Sequence, residues 1–374
     1  MEEYFPLRIV TGTYFCNRVQ ERKELKRNLE KKRHTILVSP RRYGKTSLSN
    51  QVFEELDENW VVGDADFLVT LDATDVEKTV LSLIGQVIPK LTPLHKNIFD
   101  KIKSFFAFAQ AKLVITEAGP SIEFSHSKKP QTTIIEALMG LDRLAGEQKR
   151  QIALLFDEFQ QVGQITDAEP IEAAIRHAAE RSKNICYIFS GSNRHLLSQM
   201  FDDKSRPLYH LCVKLPLERI EPAEYIEHMT RLSKARWKTP LNIQAVEQIL
   251  ACTHCHPYYV NLLCSRIWDR DSPISTQKEV EEFWRDYVEE EKGRIADEIT
   301  KLPLNQRKVL VGVSKHKISQ PTHKDTLTVL NMPLTSAAQS VKALIDKDII
   351  YRDKAGVLAV VDPSLAYFIQ HFHS

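Results

Sequence analysis

An α/β fold built on a mostly parallel sheet is predicted by three features of the sequence. Short apolar runs alternate with helical patterns through the first 220 residues, a Gly-Lys-Thr directly follows the first run, and a later run ends in two carboxylates. Residues 21–32 are charged but carry Leu25 and Leu29 four apart, as one face of an amphipathic helix does. Residues 35–38 form a short apolar strand, which runs into Ser39-Pro-Arg-Arg-Tyr-Gly-Lys-Thr46 and then into a helix over 47–56. Residues 67–72 are expected as a second buried strand and 76–91 as a helix. The stretch 113–127 alternates apolar and polar residues around Gly119-Pro120, like an inserted hairpin. Residues 151–156 and 185–190 read as further strands, each preceded by a helical segment, and right-handed crossovers then lay the strands parallel. From 221 to about 300 the pattern is wholly helical. After Leu302, helices give way to 348–352 and 357–361, a hairpin around Lys354-Ala-Gly356 that predicts a winged helix. No internal repeat or low-complexity linker interrupts the chain.

Composition narrows the class. With 374 residues the chain is too long for one ordinary core, which suggests roughly two or three domains. Hydrophobic residues at 43% and charged residues at 27% describe a soluble globular protein. A net charge of +2 requires neither a nucleic-acid nor a membrane partner, although a local basic patch is compatible with it. The sequence opens MEEYFPLRIV, with acidic residues before a short apolar stretch, and has no run long enough for a membrane helix; a cytoplasmic protein with no membrane partner is expected. Six cysteines (Cys16, Cys186, Cys212, Cys252, Cys255 and Cys264) are too sparse for a disulfide scaffold and agree with a reducing compartment.

The chemistry concentrates at the ends of the predicted strands. In the pattern G-x-x-x-x-G-K-[ST], backbone N–H groups wrap phosphates, the lysine reaches the β- and γ-phosphates, and the hydroxyl binds Mg²⁺. Gly44, Lys45 and Thr46 fit it, while Ser39 stands where the first glycine would be; Pro40, Arg41, Arg42 and Tyr43 fill the loop, and Ser47 follows it. Asp157 and Glu158 end the apolar run Ile152-Ala-Leu-Leu-Phe156. Nucleotide hydrolysis asks for such a pair: Asp157 to hold Mg²⁺ with Thr46, and Glu158 to orient and deprotonate the attacking water. A third strand ends in Ser190-Gly-Ser-Asn-Arg194, which puts small polar groups and a cation beside the same crevice. Ser192 or Asn193 is placed to sense the γ-phosphate and Arg194 to stabilise it; a helix N-cap at Ser192 or Asn193 is an equally good reading and excludes neither.

Together these segments resemble the archaeal-type ATPases of the STAND branch of AAA+-like P-loop proteins, and the similarity runs across most of the chain. Phe15-Cys-Asn-Arg-Val-Gln-Glu21 is similar to the family's F-x-G-R-x-x-E box, which contacts the adenine side through Arg18 here, with Asn17 where glycine is usual. Residues 39–46 resemble its phosphate loop and Leu-Phe-Asp-Glu-Phe-Gln160 its Walker B segment. Ser205-Arg-Pro-Leu-Tyr209 resembles an S-P-L-Y segment with an arginine inserted, and His256-Pro257-Tyr-Tyr259 a lid motif usually preceded by glycines, where this chain has His254 and Cys255. Asp362-Pro-Ser-Leu365 is similar to the segment that closes the winged helix.

The resemblance implies an ATPase core over 1–220, a helical lid over 221–300 that brings His256 and Pro257 to the nucleotide, and a winged-helix domain over 301–374. Arg206 lies where AAA+-like proteins tend to place an arginine finger that acts on a neighbouring subunit's site, which would call for a homo-oligomer; an ordinary exposed arginine is the competing reading. ATP and Mg²⁺ are the implied cofactors. Cys252-Thr-His-Cys255-His256 also matches the C-x-x-C-H haem signature and, with Cys264, a zinc site; buried thiols near a helix end are the default.

Three functional classes follow. The first is a slow, regulated ATPase switch acting through a protein partner. The second is a DNA-acting helper ATPase of a transposition, plasmid or defence system, using the winged helix. The third is a non-hydrolysing nucleotide-binding scaffold. Residues 302–374 carry nine Lys and Arg against five Asp, and the expected recognition helix over 335–346 offers Ser336, Gln339, Ser340 and Lys342 on its polar side but no arginine for a bidentate guanine contact. Its apolar Ala337, Val341, Leu344 and Ile345 account for a core face, so a regulatory packing domain is expected rather than a DNA reader.

Overall fold

In the computed structural model, the structure describes residues 3–91, 111–116, 119–124 and 129–372. They fall into two compact units, one of Arg18–Arg41 and Lys45–Leu217, the other of Met1–Asn17, Arg42–Gly44 and Glu218–Ser374.

The first unit holds a five-stranded sheet. In chain order its elements are α1 (Val19–Glu30), β1 (Thr35–Val38), α2 (Lys45–Glu54), β2 (Trp60–Asp66), α3 (Ala73–Leu91), the hairpin strands β3 (Ala111–Thr116) and β4 (Gly119–Phe124), α4 (Pro130–Glu147), β5 (Gln151–Asp157), α5 (Ala168–Arg181), β6 (Ile185–Gly191), α6 (Arg194–Asp202) and β7 (Val213–Pro216). The strand order is β2-β5-β6-β1-β7, and all four pairings are parallel. β5 and β6 are hydrophobic on both faces, as strands covered on both sides must be. The strands are parallel, with β6 beside β1 and β5 beside β6, so the phosphate loop, Asp157 and Ser190 all leave the sheet at its carboxyl edge. β3 and β4 pair antiparallel, as the alternation around Gly119-Pro120 predicts, with the rest of that stretch outside the described residues.

Two buried devices hold these strands in place, one at the start of β6 and one near the strand ends. Asp142, on α4, accepts hydrogen bonds at Oδ1 from the N–H groups of Lys183, Asn184 and Ile185 at 2.9, 2.7 and 3.2 Å, which fixes the turn into β6. Behind the strand ends, Phe67, Phe156, Phe159, Phe189 and Phe201 pack ring on ring, with centroids 4.8–6.3 Å apart. That spacing suits edge and tilted aromatic pairs.

One expected strand is displaced. Residues 67–72 are not a strand; β2 is the less apolar run before them. Phe67 is buried, but Val69 and Leu71 are 83% and 82% exposed. Side-chain carboxylates explain the break: Asp66 accepts from Leu68 N, and Asp72 accepts from Thr74 N and Asp75 N to start α3. Such local bonds compete with the ladder of a sheet. Apolar content alone placed the strand one segment too late.

The second unit is helical, with a terminal hairpin. It contains α7 (Pro222–Trp237), α8 (Ile243–Thr253), α9 (Pro257–Trp268), α10 (Gln277–Glu290), α11 (Lys292–Thr300), α12 (Leu304–Lys315), α13 (Lys324–Leu330), α14 (Leu334–Asp346), β8 (Ile350–Arg352), β9 (Leu358–Val360) and α15 (Pro363–His371). One hydrophobic core runs through it, from Tyr225 and Trp268 through Trp284 to Leu310, Leu344 and Ile369. The hairpin turns at Gly356, whose φ of 79° lies in the left-handed region that glycine adopts without strain. Three helices followed by an antiparallel β-hairpin make the winged helix that the sequence predicts. On α14, Ala337, Val341 and Leu344 are buried as expected, and Ile345 is half-buried. Ser340, expected on the polar side, is buried with them, only 6% exposed. Among the described residues no helix is long and apolar enough to cross a membrane.

Candidate functional site: a phosphate loop and a carboxylate pair

The loop after β1 adopts left-handed backbone at Arg42 (φ 63°) and Gly44 (φ 85°), and α2 starts immediately at Lys45, two residues earlier than the sequence pattern suggests. A turn of this kind points successive N–H groups inward, and a helix N-terminus adds its partial positive charge. Ser39 and Pro40 are buried. The Lys45 side chain, 6% exposed, folds back over the loop, its Nζ donating to the carbonyl of Pro40 at 3.0 Å and to the Ser39 carbonyl and Oγ at 3.3 and 3.4 Å.

The carboxylate pair meets this loop directly. Thr46 Oγ1 donates to Asp157 Oδ2 at 2.6 Å, while Asp157 Oδ1 accepts from Ser190 Oγ and from Glu158 N. Asp157 is therefore clamped by the first turn of α2, the end of β6 and the next residue's backbone at once. Glu158 has φ 50°, a left-handed conformation that costs a non-glycine residue on the order of 1 kcal/mol and is common where function constrains the chain. Its Oε2 accepts from Gln160 Nε2 at 2.6 Å and from Ser192 Oγ at 2.7 Å, and Ser192 Oγ accepts in turn from Arg41 Nε at 3.2 Å. A chain of polar contacts thus joins the phosphate loop to Glu158 through the end of β6. Gly191 makes room for it: a Cβ there would stand 1.8 Å from Gln160 Oε1.

Sequence reasoning gave no role to three members of this group. Gln160 lies in the segment quoted for its carboxylates, two residues after Glu158, and that spacing was the available signal. Ser190 is the last inward polar group of β6. Asp66 ends β2 in register with Asp157, a pairing that only the strand order reveals. Burial raises the pKa of Asp66, and the charges of Asp157, Glu158 and Asp64 push the same way against a bond from Leu68 N.

The remaining residues of this unit stand apart. Asn193 is the N-cap of α6, its Oδ1 accepting from Leu196 N at 3.0 Å, and Arg194 is the first residue of that helix. Arg18, 2% exposed, caps α1 and pairs with Glu21 at 2.7 Å. Arg206 makes a bidentate ion pair with Glu172, a carboxylate with no exposed surface. Burial raises the pKa of Glu172, and Arg206 opposes the rise. A finger would have to abandon that pair and strand a buried charge. Ser47 lies in the first turn of α2.

In the second unit, the loop tip Arg42–Gly44 packs on the expected lid motif. Arg42 lies over the Tyr258 ring at 4.0 Å, and the Tyr43 ring meets His256 edge-on at 4.8 Å. His256 is 2% exposed, its Nδ1 has no hydrogen-bond partner, and burial with the nearby Arg219 charge holds its pKa well below the usual value. Pro257 opens α9. Arg219, which sequence reasoning passed over, donates to Tyr43 Oη at 3.3 Å, to His254 O at 2.7 Å and to Val361 O at 2.8 Å. Asn17, His254 and Cys255, all at positions where the resembling family carries glycine, retain left-handed φ values of 39°, 48° and 56°. Ser39 does not. Cys252 lies on α8 and accepts from Gln248, Cys255 follows that helix, and Cys264 is buried on α9; burial raises all three thiol pKa values.

No family model matches the sequence, and no curated protein does. Solved structures do match. A Walker-type ATPase of Pyrococcus abyssi superposes with a TM-score of 0.70 at 17% identity, over 98% of this chain and 99% of its own. The ORC2 protein of Aeropyrum pernix, in ADPNP-ADP complexes, gives 0.59 at 14% identity, over 98% and 96%. The chain has the fold of the AAA+ P-loop ATPases. At these identities the likeness fixes the fold, including the C-terminal winged helix, and leaves the chemistry to the residues.

Proposed function

We propose that this AAA+-fold protein is a Mg²⁺-dependent ATPase switch. The observation that carries the reading is the 2.6 Å contact of the Thr46 hydroxyl with Asp157, one residue after a buried lysine at the start of a helix and one residue before a second carboxylate. A hydroxyl and a carboxylate that share one point offer the hard oxygen donors that Mg²⁺ takes. The Lys45 ammonium donates to carbonyls and a hydroxyl of the loop, groups that a phosphate oxygen outcompetes. The residues present therefore fit the nucleotide and the metal. ORC2, of the same fold, was solved with ADPNP and ADP, which supports nucleotide binding here.

In this reading Lys45 and the loop N–H groups bind the β- and γ-phosphates, and Thr46 and Asp157 hold Mg²⁺, which when bound neutralises charge developing on the phosphates. Glu158 takes the proton of the attacking water, and Gln160 and Ser192 aim its carboxylate. Arg194, the first residue of α6 just past β6, is assigned to the γ-phosphate. Arg206 serves its buried partner Glu172 rather than a neighbouring subunit. Residues 221–300 act as the lid and 301–374 as a regulatory domain. Arg219 supports that regulatory role, because one guanidinium holds the loop tip at Tyr43, the end of α8 at His254 and the residue after β9 at Val361. A nucleotide that displaces Tyr43 loosens all three. A cytoplasmic location and a protein partner belong to the same proposal.

Two variants test it. Lys45→Ala should abolish binding of a fluorescent ATP analogue, since no other group of the loop places a compact cation on the phosphates. Glu158→Gln should bind ATP like wild type and lose turnover by at least about a hundredfold, as loss of a general base does. Wild-type binding by the first or wild-type turnover by the second would remove that residue from the site.

A further inference from the structure

Away from the phosphate loop, the second unit carries an apolar groove of 520 Å³ between α11, α12, α13 and α15. Its floor is Ile299, Val311, Leu330 and Phe368, and its rim carries Leu304 and Val329, which are 61% and 50% exposed. Monomeric proteins seldom leave large aliphatic side chains clustered in a concavity open to water, and such a cluster marks a binding surface. Every charged residue in the lining is a cation: Arg307, Lys308 and Lys315, with His316 beside them. Arg307 is half-buried in this lining, so its stem is packed while its charge stays at the groove. α12 runs along the groove for 12 residues, about 18 Å at the usual rise, or roughly three helical turns.

We infer that this groove docks an acidic amphipathic helix of a partner protein. Apolar side chains at i, i+3 or i+4, and i+7 of such a helix fill the floor, and carboxylates on its flanks meet Arg307, Lys308 and Lys315. Duplex DNA shares the charge complementarity but supplies no apolar face for Leu304 and Val329, and its phosphates leave the floor wet. The inference does not depend on the ATPase reading, because no residue of the groove belongs to the phosphate loop or the carboxylate pair.

The test is selection of random helix-forming 16-residue peptides on the full chain. Counter-selection uses a Leu304→Ser/Val329→Ser variant, whose exposed positions leave the core intact, with thermal unfolding as the check. The expected winners carry net negative charge and the i, i+3/i+4, i+7 apolar spacing, bind the variant at least tenfold more weakly, and lose at least fivefold in affinity to Lys315→Glu. Winners that are basic, that lack the spacing, or that bind the variant equally well would overturn the inference. So would an empty selection, or displacement of the selected peptides by random duplex with the duplex itself bound more tightly.

Discussion

Ser192 stands between a cation and a carboxylate: it accepts from Arg41 and donates to Glu158 at 2.7 Å. A hydrogen bond to a charged acceptor contributes about 1.5–3 kcal/mol, and here it orients a base rather than stabilising the fold. Ser192→Ala leaves Glu158 with Gln160 alone and should cut turnover by roughly tenfold, or about 1.4 kcal/mol in the barrier, with ATP affinity unchanged. Steady-state hydrolysis alongside an equilibrium titration separates the two effects. A variant that loses affinity but not turnover would make Ser192 a phosphate contact instead, as the sequence alone allowed. At the same scale, Asn17 keeps a glycine-like backbone because its short polar side chain tolerates the left-handed region better than most. Cys255 bears that geometry with less help.

Among elements, β6 carries Ser190 and Ser192 to the site, and its starting position depends on α4. Asp142 supplies that dependence by accepting three backbone N–H groups while only 7% exposed. Removing the acceptor orphans the buried N–H of Ile185 and loosens the more exposed ones of Lys183 and Asn184, at about 1–3 kcal/mol in all. Asp142→Ala should therefore lower unfolding free energy by about 1–3 kcal/mol in urea denaturation, and Asp142→Asn, which keeps one carbonyl oxygen, by clearly less. Equal losses from the two variants would mean that charge rather than acceptor geometry holds the turn. The α4 helix was expected from sequence only as a segment before a strand. Which of its polar residues anchors that strand depends on a contact some forty residues away, and no local pattern encodes it.

For the whole molecule, acid sensitivity is built into the second unit. His228 is 5% exposed, its Nδ1 accepts from Arg231 at 3.0 Å and its Nε2 is buried without a partner. Burial and the Arg231 charge lower its pKa from 6.5 to about 4. The folded state thus disfavours the protonated ring. The stability contributed by the neutral ring is fully present above the unfolded-state value near 6.5, falls as pH drops below it, and levels off below about 4. At pH 5 the loss is about 2 kcal/mol from this group alone. Denaturation midpoints at pH 7 and pH 5 should fall less in His228→Leu than in wild type, even though the variant starts less stable. Parallel losses would show that the ring titrates normally.

The sequence by itself determined the alternation of strands and helices, the loop and carboxylate pair that define the nucleotide site, and the winged helix. Each is written in contiguous residues: an apolar run followed by Gly-Lys-Thr, a run closed by Asp157 and Glu158, and a hairpin turning at Gly356. The tertiary structure alone decided what lies beside them. Asp66 joins the carboxylates because β2 pairs with β5, and Arg206 is occupied because Glu172 is buried opposite it. Arg219 reaches Tyr43, His254 and Val361 from three distant stretches of chain. Burial also moved Ser340 from the polar side of its helix to the covered one. Local sequence sets backbone preference and the period of hydrophobic residues, whereas partners across the fold are chosen by strand order and by the cost of leaving a buried charge or donor unpaired.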